Sequence, residues 1–233
     1  MEWEAIADRL AEFIENLLSE LNQDIIDTAE ENPDTVFELD QSVIDQIEVM
    51  AQEAEADIQE LAIEDFPDDT GESVDFDDES RKVIFFYLLK VLTDGISAIH
   101  SATVTRQVLA GERTVLQQAA LARSFLRIRN AARTESSSTF ALKHQQIAIA
   151  SDFGFYVYNT SEDEAVRSEH NARNQRVFAY GQERTVDDIP GLANNCRCFA
   201  TPVTVEEALT FPFFYPEDRP QVSAKKTLKA KTC

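Results

Sequence analysis

Charge is partitioned so unevenly along this chain that it dictates how the N-terminal part must fold. Residues 1–80 hold 28 Asp or Glu and one basic residue, Arg9, whereas residues 81–233 hold 15 acidic and 20 basic residues. The formal net charge of −22 therefore divides into about −27 and +5. A segment this acidic condenses only if its apolar residues gather on one stripe and its carboxylates stay in water. The opposite signs also make the two parts attract, within one chain or between copies, over the roughly 8–10 Å that physiological salt leaves unscreened.

Ile6, Leu10, Phe13, Ile14, Leu17, Leu21 and Ile25 recur three or four apart, which predicts an amphipathic helix over residues 3–31. Asn32-Pro33 ends it, because proline cannot continue the hydrogen-bond ladder. From Gln41 the pattern resumes at Ile44, Ile47, Ala51, Ala54, Ile58 and Leu61, a short heptad seam weakened by its two alanines. Residues 1–63 are thus expected to form an acidic helical hairpin. It either packs on its own core or self-associates and binds a partner through the Ile44–Leu61 seam.

Residues 64–79 read as an acidic linker kept extended by repulsion, with Phe66 and Phe76 as anchors against an otherwise solvated spacer. Residues 80–111 predict a mostly buried helix ending near Gly111, and residues 112–150 continue helical. Arg123, Arg127 and Arg129 cluster there beside Phe125 and Ile128; the charge partition favours pairing with the acidic helices over phosphate. From Phe153 the period changes. Gly154 to Tyr158 predicts a strand, and Ser161-x-x-Glu164 a capping box opening a short helix that carries His170. Strands follow from Arg176 to Tyr180 and from Arg197 to Val203, the latter bounded by Pro202. The expected class is α+β and predominantly helical: the acidic hairpin region, then a helix-rich core over 80–203 with a small antiparallel β-element. Residues 204–233 form a C-terminal extension with a basic tail at Lys225, Lys226, Lys229 and Lys231.

Three cysteines do not make a disulfide framework, and an odd count with a close Cys-x-Cys pair suits a reducing compartment. The acidic start Met1-Glu2-Trp3-Glu4 lacks the basic, apolar pattern of a signal peptide. The most apolar run, Val83 to Leu92, is too short to cross a bilayer, so a soluble protein with no membrane partner is expected.

His170, Cys196 and Cys198 are the residue types that converge on a soft metal ion, zinc foremost. On a strand, the two cysteines share a face, which helps chelation, although the spacing is tighter than the usual C-x2-C. Asp163, Glu169, His144 or water could supply a fourth donor. The metal-free alternative has His170 bonded locally and both cysteines as small buried apolar groups. Asp163, Arg167 and His170 fall three or four apart, one face of the short helix. Arg133 and Glu135 read as scaffolding that pairs with strand or turn backbone. His100 and His144 are isolated.

A zinc deaminase needs H-x-E and P-C-x-x-C, whereas this chain has His170-Asn171-Ala172 and Cys196-Arg197-Cys198. A metal-dependent nuclease needs clustered carboxylates, and Asp187-Asp188 is thin. A metal- or cysteine-dependent enzyme built on His170 and Cys196 remains the rival reading. An acidic scaffolding module is a third.

The ordered set Ala132-Arg133-Thr134-Glu135, the strand at Phe155–Asn159, Asp163 to His170, Val177-Phe178, Pro190-Gly191 and Cys196-Arg197-Cys198 resembles the phage Mu F-like minor head protein domain. The resemblance covers residues 112–203. Ala165 and Gln175 stand where that family often has arginine and glycine. The resemblance implies no enzyme, but a structural protein of the tailed-bacteriophage head, made in the bacterial cytoplasm. It further implies association with the portal vertex or inner capsid during procapsid assembly, with a part in DNA packaging or release. Bare DNA is a poor partner for a region at about −27, so DNA contact is expected at most through the lysine tail.

Overall fold

The computed structural model describes residues 2–35, 37–64, 66, 83–109 and 113–220. Residues 67–79 of the expected linker, the expected helix end near Gly111 and the basic tail lie outside them. The chain is α+β and predominantly helical. Its long helices are α1 (Glu2–Glu31), α2 (Gln41–Glu64), α3 (Val83–Leu109) and α4 (Arg113–Ala150).

The acidic helices do not stand apart on a core of their own. Ile6, Leu10, Ile14, Leu18 and Ile25 of α1 share one apolar cluster with Ile47, Ala51, Ala54 and Ile58 of α2. The same cluster takes in Ile84, Leu88, Leu92, Ile96 and Ile99 of α3, and Ile128 and Ala132 of α4. The physical reason lies in α3. Its apolar stretch runs from Val83 to Thr105, 23 residues at mean hydropathy 1.5, beyond the short run expected and long enough by length and composition to cross a membrane. Here it lays one face, Ile84, Leu88, Leu92, Ile96 and Ile99, into the bundle, while Val83 and Phe86 stay exposed. Gly95 lets α1 come close, since a Cβ there would sit 3.0 Å from Leu18 Cδ2. The heptad seam is consequently consumed internally, with Ile47, Ala51, Ala54 and Ile58 buried and only Ile44 and Leu61 half-buried.

Opposite charge joins the two parts as the partition foretold, through Arg129 of the expected cluster and through Arg133 beyond it. The Arg129 guanidinium donates to both Glu15 carboxylate oxygens, at 2.5 and 2.9 Å. Arg133 pairs with Asp8 at 3.2 Å and so does not bond strand or turn backbone as expected. Deeper in, the Lys143 ammonium lies 3.2 Å from Glu55 Oε1, with side chains only 2% and 7% exposed. Phe66 docks as an anchor, buried beside His144 and Phe153.

The C-terminal end of α4 leads into a three-stranded antiparallel sheet of β1 (Phe155–Asn159), β2 (Arg176–Ala179) and β3 (Phe199–Val203), with β1 central. Pro202 sits within β3, opposite Tyr156, rather than bounding it. As an edge strand, β3 tolerates the missing amide donor. One sheet face buries Tyr156, Tyr158 and Phe178. The other buries Val157, Val177 and Val203. Packing continues past residue 203: helix α6 (Val205–Ala208) and Phe213 cover the second face, and Phe214 and Tyr215 lie against the first. The helix that carries His170, α5, spans only Ser168–Asn171. Ser161 does not cap it. Glu162 takes φ 54°, and the Asp163 carboxylate turns back to accept from the Ala165 amide. The capping boxes fall instead at Thr185–Asp188 and Thr204–Glu207.

Candidate metal centre

The centre is assembled on α4. Thr134 Oγ1 accepts from the Asn195 amide at 3.1 Å and contacts Asn194 Oδ1 at 2.6 Å. Ser137 Oγ donates to the Gly191 carbonyl at 2.9 Å. The middle residue of Arg133-Thr134-Glu135 therefore makes the loop contacts, together with Ser137. Gly191 is required where the loop crosses the helix: its φ is +89°, and a Cβ would meet the Ser137 carbonyl and Ala141 Cβ at 3.1 Å. From this seat the chain passes through Cys196-Arg197-Cys198 before β3 begins at Phe199, so the cysteines precede the strand expected to carry them; both are buried and Arg197 is half-buried.

His170 arrives from α5. Its Nδ1 lies 3.5 Å from Cys196 Sγ and 3.5 Å from Cys198 Sγ. All three donors fall within 4.8 Å of one another, and all three residues are buried. On the other side of the ring, Nε2 is 3.2 Å from Asp187 Oδ1. A carboxylate accepts only, so Nε2 is the donor to Asp187, and in the neutral ring that tautomer turns the Nδ1 lone pair toward the sulfurs. The Cys198 side chain holds the Cys196 thiol below its ordinary range, helped by backbone N–H groups of Cys198 and Gly191. The same coupling, with burial, pushes Cys198 up. Burial, then Cys198, also raises the Tyr158 hydroxyl far above the phenol range. Two sulfurs and an imidazole so arranged could hold a soft metal ion.

The expected fourth donors are elsewhere. Asp163 pairs with Arg197 at 2.6 Å. Glu169 accepts from Ser168 Oγ at 3.0 Å. His144 is on α4 against Phe66 and Phe140, and burial lowers its pKa to about 4. Nor do Asp163, Arg167 and His170 share a helix face, because α5 starts only at Ser168. Arg167 instead donates to the Asn194 carbonyl at 2.6 Å, tying the α5 entry to the cysteine loop.

Two residues that the sequence offered only as a thin carboxylate pair hold the centre in place. Asp187 orients the imidazole. Asp188, 0% exposed, accepts from Arg173 Nε, the Arg184 and Thr185 amides and Tyr215 Oη, all at 2.9–3.0 Å. Burial alone would raise the Asp188 pKa, but these donors outweigh it and hold the carboxyl below its usual range. The Thr185-x-x-Asp188 spacing was the available signal, a capping box whose carboxylate doubles as the hub. No family profile, no curated protein and no solved structure matches this chain.

Proposed function

We propose that this chain is a structural minor head protein of a tailed bacteriophage, with a zinc ion pinning its distal module. One observation carries the reading. Three sequence blocks of the resemblance, separated by up to about sixty residues, meet in one knot: Thr134 on α4, Arg167 with His170, and Asn194 to Cys198. Every member holds another member, which is what a scaffold needs.

The donor spacing supports zinc. With Zn–S near 2.3 Å and Zn–N near 2.0–2.1 Å, tetrahedral geometry puts nitrogen about 3.6 Å from each sulfur. Both separations are 3.5 Å here. Asp187 supplies the carboxylate behind the histidine that metal-bound imidazoles favour. When bound, zinc cross-links α5 to the β3 approach. His170, Cys196 and Cys198 would hold it, Asp187 orients the ring, and Thr134 and Ser137 fix the loop.

The assembly surface in this reading is the outer acidic face of α1 and α2, with Glu12, Glu20, Asp24, Asp45, Glu48 and Glu53 exposed. The internally consumed seam is not part of it. Such a face meets basic surfaces of the portal or inner capsid, reads as cytoplasmic at synthesis and virion-borne afterwards, and repels bare DNA and anionic membranes. Co-expression of the full chain with the portal and major capsid proteins of the encoding phage tests the proposal. The chain should copurify with procapsids in few copies, and the complex should weaken steeply as salt rises. Shells that form normally and never carry the chain would sink it.

A further inference from the structure

The three donors of the centre leave one tetrahedral position unassigned, and they share a cleft. A small cavity of about 30 Å³ is lined by His170, Cys196 and Cys198 together with Arg167, Arg197 and Asn195. We propose that the bound metal takes its fourth ligand through this cleft, as a carboxylate or phosphate oxygen from outside the chain, with Arg167 holding a second oxygen of that anion. The proposal rests on the zinc reading and deepens it: the centre becomes a docking point for an oxyanion.

Three observations lead there. Among the described residues, the metal-capable group contains His170, Cys196 and Cys198 and no fourth ionisable donor. A site with three protein donors is the kind that keeps a position for water or an external ligand. Next, zinc with two thiolates and a neutral imidazole carries no formal charge, so neighbouring side chains decide what enters. Arg197 is partly satisfied by Asp163. Arg167 uses Nη2 on the Asn194 carbonyl and has no carboxylate partner among the described residues, leaving most of its five donors for an oxyanion fork. Finally, the cleft is small. It admits the tip of an acidic side chain, a chain-terminal carboxylate or one phosphate group, and not an extended substrate.

Cobalt-loaded full-length protein supplies the test, because thiolate-bound tetrahedral cobalt absorbs visibly and its bands respond to the fourth ligand. Titration with acetate in one arm and inorganic phosphate in the other, at constant ionic strength set by perchlorate, should shift the bands saturably. The arm that saturates at lower concentration distinguishes carboxylate from phosphate as the natural chemistry. Arg167→Gln should raise the half-saturating concentration roughly fivefold, the scale of one charge-assisted hydrogen bond at a part-exposed site. Arg197→Gln is the second variant should Arg167→Gln fold poorly. X-ray absorption of the zinc form should find two sulfur, one nitrogen and one oxygen neighbours. Tetrahedral cobalt bands indifferent to both anions would overturn the inference and leave the zinc reading standing. A protein that gives no thiolate–cobalt bands at all would overturn both.

Discussion

The His170 imidazole is gripped at both nitrogens: Nε2 lies 3.2 Å from Asp187 Oδ1, and Nδ1 lies 3.5 Å from each of the sulfurs of Cys196 and Cys198. Asp187 therefore stands on the far side of the ring from the two sulfurs. Asp187→Asn should weaken zinc affinity about 10- to 100-fold in a chelator competition. Cys196→Ser or His170→Ala should abolish stoichiometric binding. Because binding energy is folding energy in such modules, a chelator should lower the melting temperature of the unmutated protein. An unchanged melting curve with no metal by elemental analysis would refute the centre.

Lys143 and Glu55 form a buried ion pair between α4 and α2. Glu55→Ala leaves the ammonium in an apolar core without that carboxylate, and should cost roughly 3–5 kcal/mol in a denaturant melt. Replacing both with apolar residues, as in Glu55→Leu with Lys143→Met, should recover most of that loss. If the single substitution costs no more than an exposed one, the pair does not hold the helices together.

His144 gives the bundle a defined acid limit. Its folded pKa is lowered to about 4 from 6.5 by burial. The unfolded chain thus takes up this proton first as pH falls. The contribution is intact above pH 6.5, is lost progressively between 6.5 and 4, and totals about 3 kcal/mol. Compared with the parent under identical metal-free conditions, so that the lowered Cys196 thiol contributes equally to both, His144→Gln should flatten stability against pH across that window. Equal slopes in variant and parent would reject the assignment.

Asp188 and the segment after residue 203 belong to one structural unit. Phe214 stacks on Phe178, and the Tyr215 hydroxyl reaches Asp188. A chain ending at Val203 should lose the near-UV circular dichroism of its packed tyrosines, although the resembling region is then complete. Asp188→Ala should be as damaging, roughly 3–5 kcal/mol, because Arg173 is left buried without its carboxylate. A truncated chain with undiminished near-UV signal would show that Phe213 to Tyr215 are ornamental.

The long helices were legible because their signal is periodic. Ile6 through Ile25, and Ile47 through Ile58, reach the core as their spacing required. What the periods could not say was which partner each stripe would meet. The Ile44–Leu61 seam looked available to another molecule only while α3 and α4 were out of view. Local chemistry was less reliable. Ser161-x-x-Glu164, Thr185-x-x-Asp188 and Thr204-x-x-Glu207 have the same form, and the fold uses the last two because Glu162 breaks the first with a left-handed turn. The metal donors were legible as residue types at workable spacing. Asp187 was not, since an acidic residue orienting a histidine seventeen positions away has no sequence period.

Helix α4 belongs to both halves of the molecule: Arg129 and Ile128 meet the acidic bundle, while Thr134 and Ser137 seat the loop of the metal centre. The contacts of the two parts thus interleave within about ten residues, or some 15 Å of one rigid rod. A load placed on α1 would therefore reach the cysteine loop along one continuous helix, with no loop between to absorb it.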